Sequence, residues 1–157
     1  MTLRDDSYWM GLALREAEKA AARGEVPIGA LVVRDGKVLG RGHNFREAKR
    51  DPVAHAEIIA IRKAAKKEES WRLTGATVYV TLEPCIMCMG AMLLARVERV
   101  VFGCNDPKGG AAGTLYDLSD DPRLNHRMEV TSGVREAECS AVLSEFFSYL
   151  RREKKKG

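Results

Sequence analysis

The stretch from Gly29 to Gly42 constrains the fold more than any other part of the chain. Gly29-Ala-Leu-Val-Val33 is rich in β-formers, Asp35-Gly36 follows, and Lys37-Val-Leu-Gly-Arg-Gly42 returns. Asp-Gly between two such runs is a two-residue hairpin turn, because both central residues must take positive φ. On either side of this hairpin the pattern changes period. Asp5-Asp6-Ser7 is a helix start and Gly24 a stop, with Trp9, Leu12, Ala13, Ala17 and Ala20 on one stripe between them. Asp51-Pro52 breaks the chain before a second helix, Ala54 to Lys67, whose apolar side carries Ile58, Ile61 and Ala65. Thr77 to Thr81 is a strand, Pro84 opens a third helix over 85–95, and Arg99-Val-Val-Phe102 is a fourth strand. Gly103 to Gly113 is a Gly-rich loop. A fifth strand lies near Glu129-Val130-Thr131, and a last helix starts at Val134. A hairpin followed by alternating helices and strands predicts an α/β fold in which helices cover a mixed sheet.

The 157 residues suffice for one domain with its own core, so 1–157 is read as a single domain. No apolar run reaches the roughly 18–20 residues of a membrane span. Met1-Thr2-Leu3-Arg4-Asp5-Asp6 has no apolar stretch of the kind a secretory signal needs, so the expected location is cytoplasmic. In that setting the four cysteines, Cys85, Cys88, Cys104 and Cys139, do not suggest a disulfide framework, and the close pair reads as metal-binding or redox-active. The net charge of +4 is concentrated at one end: Arg151-Arg-Glu-Lys-Lys-Lys156 carries all of it, and the remainder of the chain balances. The basic C-terminal helix and tail, about 134–157, fits a polyanion-binding extension. It equally fits a solvated helix end with cations at the negative pole of the dipole.

Two short motifs carry chemistry: His55-Ala56-Glu57 and Pro84-Cys85-Ile86-Met87-Cys88, each at a helix start. A Cys-x-x-Cys spacing puts both sulfurs on one side of a first helical turn, where the dipole and free N–H groups favour thiolates. A neutral imidazole from His55 supplies a third donor. Three protein ligands leave one tetrahedral position open, as a catalytic rather than structural zinc requires. Glu57 lies about 200° around a helix from His55, so the two share a target only if it lies beyond the helix terminus. A carboxylate beside an activated water can take its proton and pass it to a leaving amine. Alone, the Cys pair also fits a redox couple, a structural zinc or buried thiols.

Together and in this order, the two motifs resemble the H-x-E…P-C-x-x-C signature of the zinc-dependent nucleobase deaminases. The resemblance narrows to the bacterial tRNA-specific adenosine deaminases, within the cytidine and deoxycytidylate deaminase superfamily. It runs through Glu25-Val-Pro-Ile-Gly-Ala30, Asp51 to Glu57, Thr81-Leu-Glu-Pro-Cys85, Val101-Phe-Gly103, Gly110-Ala-Ala-Gly113, Asn125-His-Arg127 and the Phe146-Phe147 helix. It implies a cytidine-deaminase-like three-layer α/β/α sandwich with a mixed five-stranded sheet. The implied reaction is hydrolysis of adenosine to inosine at the wobble position of tRNA. It further implies one zinc per subunit on His55, Cys85 and Cys88, with Glu57 moving protons, no nucleotide cofactor, and a homodimer that binds the anticodon stem-loop.

By the same resemblance Asn44 hydrogen-bonds the extruded base, although a turn residue after the second strand is an equal reading of it. Asp106 and Lys108 would border the pocket and meet the RNA backbone, though Lys108 also fits ordinary loop charge. Asn125 and His126 would contact flanking nucleotides. Phe147 or Phe146 would stack on unpaired bases, although one of an adjacent pair on a helix is expected in the core. Arg151 and Arg152 would track phosphates. Two rival functions share the motifs: a deaminase of a free nucleoside, nucleotide or base, and a catalytically silent RNA-binding subunit. The second has no need of Glu57.

Overall fold

A computed structural model describes residues 4–156, so the reading of Met1–Leu3 lies outside the described residues. The first helix, α1 (Asp6–Ala22), begins where the cap chemistry places it: Asp5 is extended and its carboxylate accepts from the Tyr8 amide at 2.9 Å. The hairpin β1 (Gly29–Arg34) and β2 (Lys37–His43) turns at Asp35 and Gly36, whose φ values of 51° and 72° are those of a type I′ turn. A bulge between Val32 and Val33 shifts the register of this pair. The order continues with α2 (Arg46–Lys49), α3 (Ala56–Glu68), β3 (Thr77–Leu82), α4 (Ile86–Leu94), β4 (Arg99–Cys104), β5 (Glu129–Thr131) and α5 (Glu136–Lys156).

The described strands form a mixed sheet in the order β2-β1-β3-β4-β5. β1 is antiparallel to β2 and β3, whereas β3, β4 and β5 run parallel. Alternation along the strands separates two cores. Ala30, Val32, Val78, Val80, Val100 and Phe102 face α3 and α4, packing on Ala56, Ala60, Met89 and Met92. Leu31, Val33, Tyr79 and Val101 face the other way, against Trp9, Met10, Ala13 and Leu14 of α1 and Cys139 of α5. The result is the expected three-layer α/β/α sandwich. α3 lies very close to β2, since a Cβ on Gly40 or Gly42 would fall 2.3 Å from the Ala60 carbonyl oxygen or 2.5 Å from that of Ala56. No helix of the described residues is long and apolar enough to cross a membrane.

Among the departures from the sequence patterning, α3 starts at Ala56 rather than Ala54. The short helix α2 follows β2 where the patterning places no element. β4 extends two residues further, to Cys104, before the Gly-rich loop begins. α5 starts at Glu136 rather than Val134, because Gly133 and Arg135 take positive φ in the turn that precedes it.

Candidate functional site

Parallel strands leave their crevice at the carboxyl ends, where the chain crosses to a helix. At that end of β3 and β4 lies a cavity of about 200 Å³. Its lining comes from the segment before β1 (Val26, Ile28), the turn after β2 (Asn44, Arg46), the start of α3 (His55, Ala56, Glu57), and the ends of β3 and β4 (Leu82, Glu83, Cys85, Asp106).

His55 is the N-cap of α3 and Cys85 the N-cap of α4; both are extended, and neither spends its side chain on capping. Their side chains are therefore free to converge beyond the two helix ends. His55 Nδ1 lies 3.7 Å from Cys85 Sγ and 3.6 Å from Cys88 Sγ, and the three donor atoms all fall within 4.8 Å of one another. Tetrahedral zinc, with bonds of about 2.3 Å to sulfur and about 2.0 Å to nitrogen, sets such S···N separations near 3.6 Å. The donor set and spacing thus fit a metal held by three protein ligands. Because His55 precedes the helix, the 200° separation from Glu57 does not apply, and Glu57 in the first turn also faces the cluster.

Electrostatics at the cluster follow from burial and close contact. The Cys88 thiol, donating to Cys85, holds Cys85 down to about 4, and His55 adds to this. The same contact and burial push Cys88 up. Its bond to Cys85 raises His55 above its usual value. Glu57 is buried, which pushes its carboxyl up to about 7, and it contacts Cys88. Four adjacent groups that shift one another's proton affinity in this way are a setting for metal capture and proton transfer. Cys104 and Cys139 lie apart from the cluster, buried against the α1 face, and burial pushes their thiols up to about 11 and about 12.

Asn44 is both a turn residue and a cavity residue. It is buried, its Oδ1 accepts from the Arg46 amide at 3.1 Å and its Nδ2 donates to the Val26 carbonyl at 3.4 Å. One N–H and one lone pair of the amide remain for a ligand. Asp106 lines the cavity and accepts from the Lys108 amide at 2.9 Å, with the Lys108 side chain exposed beside it. Phe146 is buried and Phe147 exposed, as expected of the pair, and Arg151 and Arg152 are exposed near the end of α5. Asn125 and His126 are not brought to the cavity. They lie before β5, at the opposite end of the sheet, where His126 Nε2 sits 2.6 Å from the Val97 carbonyl.

Two buried carboxylates that the motifs leave unexplained organise the rim. Glu25 accepts from the amides of Glu47 and Ala48 at 3.0 and 2.7 Å, anchoring α2 and with it Arg46. Glu83 gathers the amides of Asp106, Ala112 and Thr114 together with the Thr114 hydroxyl and the Asn105 amide. Burial alone would raise Glu83, but the Thr114 hydroxyl and those amides outweigh it and hold its carboxyl below the ordinary range.

The comparisons with known proteins agree. The family described as MafB19-like deaminase matches residues 4–151. The chain is similar to the tRNA-specific adenosine deaminase of Bacillus subtilis (strain 168), with 53% identity over 98% of this chain and 95% of the relative. It is also similar to the enzyme of that name from Haemophilus influenzae, with 50% identity over 96% of this chain and 87% of the relative. Among solved structures, one from biochemical and structural studies of A-to-I editing by tRNA:A34 deaminases at the wobble position of transfer RNA superposes with a TM-score of 0.84. It is 44% identical, covering 87% of this chain and 99% of that one.

Proposed function

We infer the reaction from one premise: the chain belongs to the family of tRNA-specific adenosine deaminases. It hydrolyses adenosine to inosine at the wobble position of tRNA. The observation that carries the reading is the meeting of His55, Cys85 and Cys88 with the buried carboxylate of Glu57 in a cavity that Asn44 also lines.

We propose that His55, Cys85 and Cys88 hold one zinc per subunit. When bound, zinc makes water acidic enough to serve as the nucleophile near neutral pH. The remaining steps belong to the chain's own residues. Asn44, its amide pre-oriented by Val26 and Arg46, hydrogen-bonds the extruded adenine. Glu57 accepts one proton that water gives up as oxygen adds to C6 and delivers it to N1; it then carries the remaining proton of the new C6 hydroxyl to the departing amine. The C6–N6 bond breaks, ammonia leaves and inosine remains. A carboxyl raised toward 7 by burial suits a group that must both take and give a proton. This proton transfer sets the chain apart from a silent RNA-binding subunit.

Lys108 and Asp106 border the RNA, Phe147 stacks on a splayed base, and Arg151 and Arg152 approach phosphates. For Asn125 and His126 the reading demands more: the RNA would have to reach the far end of the sheet, or the residues would have to come from a second subunit. A homodimer is supported by an apolar face of α3, α4 and the segment between them, where Leu94 and Trp71 stand exposed beside Ile58 and Ile61. We place the enzyme in the cytoplasm, where tRNA is found, and read 1–157 as its single domain.

The direct test is incubation with a transcribed tRNA bearing adenosine at the wobble position, read for inosine. Conversion there is expected. Release of ammonia from free nucleosides or bases, with none from tRNA, would overturn the assignment of substrate.

A further inference from the structure

Glu83 stands two residues before the Cys85 ligand and does no chemistry in the scheme above. It is nonetheless among the most constrained side chains in the molecule. Its carboxylate is buried, and among the described residues no cation lies in salt-bridge contact with it. Its charge is met instead by donors from one segment, the loop after β4. Oε1 accepts from the Asp106 amide at 3.0 Å, the Asn105 side chain at 3.3 Å and the Thr114 hydroxyl. Oε2 accepts from the Ala112 and Thr114 amides at 3.0 and 3.1 Å. The loop closes tightly over it: a Cβ on Gly110 would lie 2.4 Å from the carboxylate. Backbone bonds of the neighbouring residues continue the same seam, Ala111 donating to the Pro84 carbonyl at 2.9 Å.

The loop held in this way carries Asp106 into the cavity and Lys108 onto its edge. The segment holding it, Glu83-Pro84-Cys85, leads into α4 and the cysteine pair. We propose that Glu83 is a positioning residue for the deamination. Its carboxylate locks the 105–114 wall of the cavity in register with the metal-ligand segment, so that a base seated against Asp106 lies at the right place relative to Glu57. This rests on the assignment of the cavity as the adenosine site. An amide in place of the carboxylate turns one acceptor into a donor facing donors, whichever way it is flipped.

The test compares Glu83→Gln with the parent as zinc-loaded full-length proteins, using three readouts. Zinc content is expected to stay the same. The amides of 105–114 are expected to exchange with deuterium at least about tenfold faster, while those of α3 and α4 keep their rates. The single-turnover rate at saturating tRNA is expected to fall by about a hundredfold, as misplacement of a bound reactant by an ångström or so does. Glu83→Asp, which keeps the acceptors, should recover part of that rate. A residue important only for stability would lower the melting temperature and leave the saturating rate of the folded enzyme alone. Unchanged exchange over 105–114, or an unchanged saturating rate, would overturn the proposal. If Glu83→Gln does not fold, Thr114→Val decides: it removes one hydroxyl donor, and faster exchange in the same segment supports the proposal while parental exchange refutes it. Amide exchange needs no RNA, so a parent inactive on tRNA would refute the assigned reaction and leave this result readable.

Discussion

The two helix ends that meet at the cavity and the far end of α5 treat charge in opposite ways. At the cavity, His55, Glu57, Cys85 and Cys88 are drawn together and largely buried, and each alters the proton affinity of its neighbours. At the end of α5, Arg151, Arg152, Lys154, Lys155 and Lys156 are exposed, and the side-chain partners found there are weak ones, Ser148 at 3.1 Å and Glu153 at 3.5 Å. Interaction energy per group is large in the first setting and small in the second, because water and salt screen exposed charge. Chemistry therefore rests on a few residues that each matter greatly, whereas attraction for a polyanion is divided among many that each matter little.

The largest effect should come from breaking the donor triangle. Cys88 is fully buried at its centre. Cys88→Ser is expected to lose bound zinc and with it all measurable deamination, and to lower thermal stability, since a ligand held only by the folded state stabilises that state. Metal analysis and a melting curve on the purified variant check this. Chelation of the parent should reproduce the loss and zinc should restore it. A Cys88→Ser protein with full zinc and activity would show that the cluster is not the metal site.

Glu57→Gln separates the metal from the proton. Zinc should remain, because the three donors are untouched, and the single-turnover rate should fall by about 10²–10⁴-fold, the range for loss of a general acid–base. Burial raises this carboxyl in the folded chain, so its replacement by a neutral isostere should not lower the melting temperature. Near-parental rates in the variant would remove Glu57 from the mechanism.

The same contrast explains which features the sequence discloses and which it hides. The metal donors and Glu57 are legible in it because helix starts, Pro breaks and ligand types are local signals, and the alternating strands disclose the two faces of the sheet. Glu83 and Glu25 are not. Each is a single carboxylate held mainly by backbone amides 22 to 31 residues away, and an amide leaves no trace in residue identity. The helix α2 is hidden for the same reason: it has four residues, no buried side chain, and an N-terminal turn held from a distance by Glu25. Family likeness alone does not disclose where His126 lies: its ring is engaged with the Val97 carbonyl, away from the cavity.

Between the two extremes stands Asp6, half-buried at the start of α1. It accepts from Tyr79 at 2.8 Å and from both terminal nitrogens of Arg99 at 2.9 and 2.6 Å. The Arg99 guanidinium, more than the Tyr79 hydroxyl, holds its carboxyl below the ordinary value against the opposing effect of burial. A pKa lower in the folded than in the unfolded chain stabilises the fold above the unfolded value, near 3.9, and that stability is lost as the pH falls through the folded value. Asp6→Asn should therefore cost about 1–2 kcal/mol at neutral pH. The deficit should shrink as the pH falls below about 4. Denaturant melts across that range check it, and a deficit independent of pH would mean that the carboxylate is not ionised by this pairing.

The smallest single effects belong to the tail, and the comparison predicts how they add. Arg151→Ala or Arg152→Ala alone should change tRNA affinity only slightly, because each cation forms at most one screened phosphate contact. Changing Arg151, Arg152, Lys154, Lys155 and Lys156 together should weaken binding at low salt and flatten the dependence of log affinity on log salt. For every phosphate no longer neutralised, that slope should fall by about 0.7–0.9. The saturating single-turnover rate should stay at the parental value, because none of these residues lines the cavity. Two results would break the division. An unchanged slope would mean that the tail is a solvated helix end and nothing more. A fall in the saturating rate would mean that the basic end of α5 helps to seat the base, and that binding and chemistry are not kept apart in this molecule.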